Sequence, residues 1–106
     1  MIVSFAIGNS DDKLTQSRWA AFVSSVHRAV DESLQDQDRI HFAGYSPPGA
    51  PWQNAVWVIE LGADAEVSRG ALRTRLADLA GRFEQDSIAW WEASEAELIP
   101  PAQVRP

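Results

Sequence analysis

Two stripes of apolar residues at helical spacing, one beginning at Trp19 and the other at Val67, each sit between runs rich in β-branched and aromatic residues. The runs cover residues 2–7 before the first stripe, 39–45 and 55–61 between the two, and 87–92 after the second. The order is strand, helix, strand, strand, helix, strand. A chain so arranged has few ways to bury everything at once. Each helical stripe must lie on a sheet, and two consecutive strands with no helix between them pair as a hairpin.

Local signals support each element. Gly8, Asn9, Ser10, Asp11 and Asp12 end the first strand with five turn formers in a row. Thr15 is placed to cap the first helix, with Leu14 stapled to Trp19 across it. Phe22, Val23, Val26, Ala29, Val30 and Leu34 continue the apolar face. Residues 35–38 are too polar for a core and close that helix. Pro47, Pro48 and Pro51 make residues 46–51 a loop, since proline cannot donate to a strand ladder. The second helix is expected to start near Asp64 and to bury Val67, Leu72, Leu76, Leu79, Ala80 and Phe83. Residues 94–97 fit a capping box for one short helical turn. Residues 1–99 then form a single domain, and residues 100–106, with three prolines, form a loose tail.

This element order is that of the ferredoxin-like sandwich, an α+β fold with two helices on one face of an antiparallel sheet of order 4-1-3-2. Hairpin register follows from the apolar pattern. Pairing Tyr45 with Asn54, Ala43 with Val56, His41 with Val58 and Arg39 with Glu60 puts Ile40, Phe42, Trp57, Ile59 and Leu61 on one apolar face, which is assigned to the core. Ile88 and Trp90 of the last strand point the same way.

Composition bounds the function. A chain of 106 residues with 45% hydrophobic and 23% charged residues can fold around one core. It has no cysteine, which removes thiolate chemistry, disulfides and cysteine-bound zinc. The net charge is −6, with four basic residues against six acidic ones in residues 1–53 and five against nine in residues 54–106. That balance repels phosphate backbones and argues against a nucleic-acid partner. Arg69, Arg73, Arg75 and Arg82 share the second helix, but Asp78 is spaced to pair with Arg75 and Arg82. No apolar run reaches the length of a membrane span and the first residues lack a basic leader, so no membrane partner and a cytoplasmic location are expected.

Two places could carry function. One is the sheet face left open by the helices, expected to hold Ser4, Ala6, His41, Ala43, Tyr45, Val56, Val58, Glu60 and Trp91. Valines and a tryptophan left to water mark a contact surface, and a homodimer covers such a face with a single patch used twice. The expected interface is His41, Ala43, Val56, Val58 and Trp91. The other place is the end where the loops converge, bringing together Asn9, Asp11, Asp12, Trp52, Gln53, Asn54, Gln85 and Asp86. The aspartates there lack the alternation of a calcium loop and suit turn chemistry, so no metal and no cofactor are expected. Trp52, beside Pro51, is either a lid on the core, the commoner outcome, or an aromatic offered to a partner. Trp52, Gln53, Asn54, Asn9, Gln85 and Asp86 are the candidate binding residues. His41, with Tyr45 and Glu60, is the one group suited to general-base catalysis.

The element order over about ninety residues resembles that of dimeric α+β barrel proteins, a group that includes small-molecule monooxygenases, isomerases and ligand binders. The segments GNSDDKLTQSRW, APWQNAVWVIEL and QDSIAWW are similar to small proteins of actinobacteria and their phages. That likeness implies no activity. The chain is accordingly expected to be a non-enzymatic, homodimeric binding or interaction domain. The alternatives are a barrel-type enzyme using His41 on a small molecule, and an acidic inhibitor or decoy that binds another protein through the 45–54 loop.

Overall fold

The computed structural model describes residues 1–9, 11–47 and 50–102. Ser10, Pro48 and Gly49 of the expected loops, and residues 103–106 of the expected tail, lie outside the described residues. The elements are β1 (Ile2–Gly8), α1 (Gln16–Ser33), β2 (Arg39–Tyr45), β3 (Asn54–Glu60), α2 (Ala65–Arg82) and β4 (Ala89–Ala93). The four strands form one antiparallel sheet in the order β2-β3-β1-β4.

The core is built on one cross-strand row. Phe5 of β1 lies opposite Trp57 of β3 and opposite Trp90 of β4. Its ring stacks on Trp57 at 5.1 Å and 6° and on Trp90 at 5.9 Å and 16°. Alternation then buries Val3, Phe5 and Ile7 of β1 and Ala55, Trp57 and Ile59 of β3 on the side the helices cover. From α1 come Trp19, Phe22, Val26, Ala29 and Val30, and from α2 come Leu72, Leu76 and Leu79. The Trp57 indole N–H would be orphaned in this core, but it donates to His27 Nδ1 of α1 at 3.2 Å. Phe22 stacks on Phe83 at 4.7 Å and joins the two helices.

The helix ends follow local chemistry. Thr15 Oγ1 accepts from the Arg18 N–H at 3.2 Å, and Leu14 and Trp19 on either side of that cap are both buried. At the far end of α2, the Gln85 N–H reaches back to Ala80 O at 2.8 Å and the Glu84 N–H to Gly81 O at 3.3 Å. This is a Schellman closure with Glu84 at φ 57°, a position usually given to glycine. Asp64 stands at the start of α2 but makes no capping bond with its side chain.

Three expectations are corrected. Val67 is exposed, and its neighbour Ser68 is buried instead. Residues 94–97 form no helical turn and are exposed, since a single turn with nothing to pack on does not hold. Arg75 bonds to Glu32 of α1 at 2.8 Å rather than to Asp78.

Ser68 is buried because of Asp38. The Asp38 carboxylate accepts from the Gln35 N–H at 2.8 Å, the Gly62 N–H at 2.7 Å and the Ser68 hydroxyl. It thereby ties the α1–β2 turn to the β3–α2 turn and to α2. The two turns approach so closely that a Cβ on Gly62 would lie 2.9 Å from Gln37 Cβ and 3.1 Å from Gln37 O. Burial pushes the Asp38 carboxyl upward, but the bonds from Gln35, Ser68 and Gly62 outweigh it and hold the group below its ordinary value.

Two outcomes are expected. Trp57→Ala should cost about 3–5 kcal/mol in urea unfolding, and Trp90→Ala less, because Trp90 is only partly buried. Asp38→Asn should cost about 2 kcal/mol at neutral pH. Because the folded-state carboxyl ionises at lower pH than the unfolded one, its contribution is complete above about pH 4 and fades as pH falls through the folded value. The gap between wild type and variant should therefore narrow in unfolding curves taken below pH 4.

Candidate functional site

The converging loop end is organised by two amides. Asn9 is buried at the end of β1, where its Nδ2 donates to Leu14 O at 3.0 Å and to Gln53 Oε1 at 2.9 Å, and its Oδ1 accepts the Leu14 N–H at 2.9 Å. Gln53, also buried, exchanges bonds with Gln16 of α1 at 2.7 and 3.1 Å. The structure thus brings Asn9 and Gln53 together, but with their polar atoms engaged by each other, Gln16 and the backbone. They shape the loop end as a fixed frame. Asp12, at φ 60°, turns the chain there, and its N–H bonds to Asn9 O at 3.1 Å.

The other candidates spread outward from this frame. Lys13, the single lysine, stands 3.8 Å from Asp11 and 3.6 Å from Asp86. Among the described residues no group of three or more His, Asp or Glu side chains is placed to hold a metal ion. Gln85 donates to Phe83 O at 3.1 Å and belongs to the closure of α2. The Asn54 N–H bonds to Ser46 Oγ at 3.1 Å and closes the hairpin loop. Trp52 is 59% exposed on that loop, which corrects the reading of it as a lid on the core.

The sheet face away from the helices is arranged in rows. One row runs Phe42, Val58, Ser4, Trp91 across β2, β3, β1 and β4, and the next runs Gly44, Val56, Ala6, Ala89. Phe42 and Trp91 are 55% and 56% exposed, and the residues between them are small. The face is therefore a shallow trough with aromatic walls on the two outer strands. Its charged groups lie at one end, where the His41 Nε2–H donates to Glu60 Oε1 at 2.8 Å. This bond from His41 holds the Glu60 carboxyl below its ordinary value.

Hairpin register differs from the expected one because β2 carries a bulge. Arg39 pairs with Glu60 as expected, but Ile40 pairs with Ile59 and Phe42 with Val58, which leaves His41 as an extra residue. From there to the loop the pairing is shifted by one: Ala43 lies opposite Trp57, Gly44 opposite Val56 and Tyr45 opposite Ala55. Phe42 accordingly moves from the expected core face to the open face, while Ala43 and Tyr45 move to the helix side. Tyr45 is thus on the opposite side of the sheet from the His41–Glu60 pair, and the three do not assemble into a catalytic group. Gly44 was the signal available in the sequence, since a glycine inside a strand marks a bulge or a close approach. Here a Cβ at Gly44 would fall 2.6 Å from Phe42 Cζ, so the phenyl ring lies over the glycine. His27 is partly buried at the boundary of the core, and its bond to Trp57 has no counterpart in spacing along the chain.

Because Trp52 is largely in solvent, Trp52→Ala should leave unfolding free energy within about 0.5 kcal/mol of wild type in urea titrations. No protein-family model matches the chain, and no curated protein matches it significantly.

Proposed function

We propose that this chain is a cytoplasmic, non-enzymatic interaction domain on a ferredoxin-like sandwich, and that it works as a homodimer through its open sheet face. The observation that carries this reading is the pair of rows Phe42–Val58–Ser4–Trp91 and Gly44–Val56–Ala6–Ala89, which cross all four strands without a charged residue. Apolar surface of that continuity is stabilised by removal from water at about 25 cal/mol per Å². The charged groups sit beyond the end of these rows, where the Glu60 carboxylate accepts from His41 and lies opposite Arg39, so a second copy can cover the two rows without burying an unpaired carboxylate.

Geometry favours a second copy over an unrelated cover. With a two-fold axis parallel to the strands, the β2 edge of one copy lies over the β4 edge of the other, and Phe42 meets Trp91 of the partner subunit twice. The net charge of −6 on each copy opposes association, so screening by salt strengthens the dimer. A second reading rests on Trp52, whose exposure on the hairpin loop suits an acidic decoy that presents this loop to another protein.

Light scattering and sedimentation are expected to give a dimer at tens of micromolar that tightens as salt is raised. Val58→Lys places a charge in the middle of the trough and should give a folded monomer. A wild-type monomer under these conditions would overturn the homodimer and leave the loop-centred reading.

A further inference from the structure

On α1 the residues Trp19, Ala20, Val23 and His27 run along the border of the main core, with Trp19 buried in it, Val23 packed against it and Ala20 exposed. Because β2 is the outer strand, its helix side is not fully covered, and Ala43 and Tyr45 are exposed there. Between these α1 residues, Tyr45 and Pro47 lies a cleft of about 410 Å³, within the size range of small-molecule sites.

We infer that this cleft binds a neutral, planar aromatic molecule bearing a hydrogen-bond acceptor. Three observations carry the inference, and none depends on the dimer. First, Trp19, Val23 and Tyr45 give the cleft aromatic and aliphatic walls that suit a flat ring. Second, His27 lines it in one defined tautomer. Its Nδ1 accepts the Trp57 indole N–H on the inward side, so in the neutral ring the proton sits on Nε2 and is available to donate. A ligand acceptor meets a donor already oriented by the core, which lowers the cost of ordering it. Third, the lining contains no Asp, Glu, Lys or Arg, and the amides of Gln16 and Gln53 are engaged with each other. A carboxylate ligand would find no ammonium or guanidinium group, and a cation would find no carboxylate.

The test uses coumarin, its oxygen-free counterpart 1,2-dihydronaphthalene, and coumarin-3-carboxylate, each titrated into the protein and followed by NMR. Coumarin should shift Trp19, Val23 and Tyr45 and bind about tenfold more tightly than dihydronaphthalene, the factor one hydrogen bond of ordinary strength supplies, and more tightly than the carboxylate, which would lose hydration without an ammonium or guanidinium partner. Ala20→Trp, which fills the cleft from an exposed helix position, should abolish those shifts while unfolding like wild type. Tyr45→Ala serves as a second variant should the larger residue disturb folding, and it should weaken coumarin binding. Long-range nitrogen–proton correlation should show His27 as the Nε2–H form. Equal binding of coumarin and dihydronaphthalene, shifts confined to another surface, or an Nδ1–H imidazole would each overturn the inference.

Discussion

The three-ring stack of Trp57, Phe5 and Trp90 is the interaction on which the rest of the structure depends. It spans β3, β1 and β4 in a single row, so the two strand pairings that hold the sheet together share one set of contacts. It also couples the sheet to both helices. His27 of α1 takes the Trp57 N–H, and the Arg73 guanidinium of α2 lies 5.1 Å over the Trp90 ring. Trp90 is tied on its outer side as well, where its indole donates to Glu92 at 3.0 Å. That bond, against a smaller opposing effect of burial and with help from Arg69, holds the Glu92 carboxyl below its ordinary value.

The strand β2 stands outside that stack. Its neighbour in the row is Ala43, a residue too small to extend the aromatic series, and the helices do not reach far enough to cover it. The sheet therefore ends in a strand that is held by its hydrogen bonds to β3 and little burial. Both surfaces with functional potential exist because of this. On the helix side the uncovered strand opens a cleft against α1, and on the other side Phe42 becomes one wall of the trough.

What the sequence made legible was whatever follows from period and burial. Element order, the helix cap at Thr15 and the burial of Trp57 all come from short-range pattern, and the structure has each of them. The hairpin register was legible at Arg39–Glu60 and then lost, because strict alternation has no place for an extra residue, and one insertion exchanges the faces of everything beyond it. The bonding of the polar loop residues was not legible, for a different reason. Asn9, Gln53 and Asp38 look like solvent-loving turn residues in a linear reading, and only the fold shows that their partners lie across the molecule. Polar residues in loops report that the chain turns; they do not report whether their own bonding capacity is already consumed.

The bulge at His41 has a bearing on how the chain behaves among copies of itself. β2 is an outer strand, and a regular outer strand offers evenly spaced free N–H and C=O groups to any extended segment that drifts against it. The extra residue breaks that spacing midway along the strand, and the positively charged Arg39 sits at its start. An incoming strand can match the edge on one side of His41 or on the other but not through it. Open-ended, edge-to-edge growth of the sheet into fibrils is thereby discouraged at the margin that the helices leave bare.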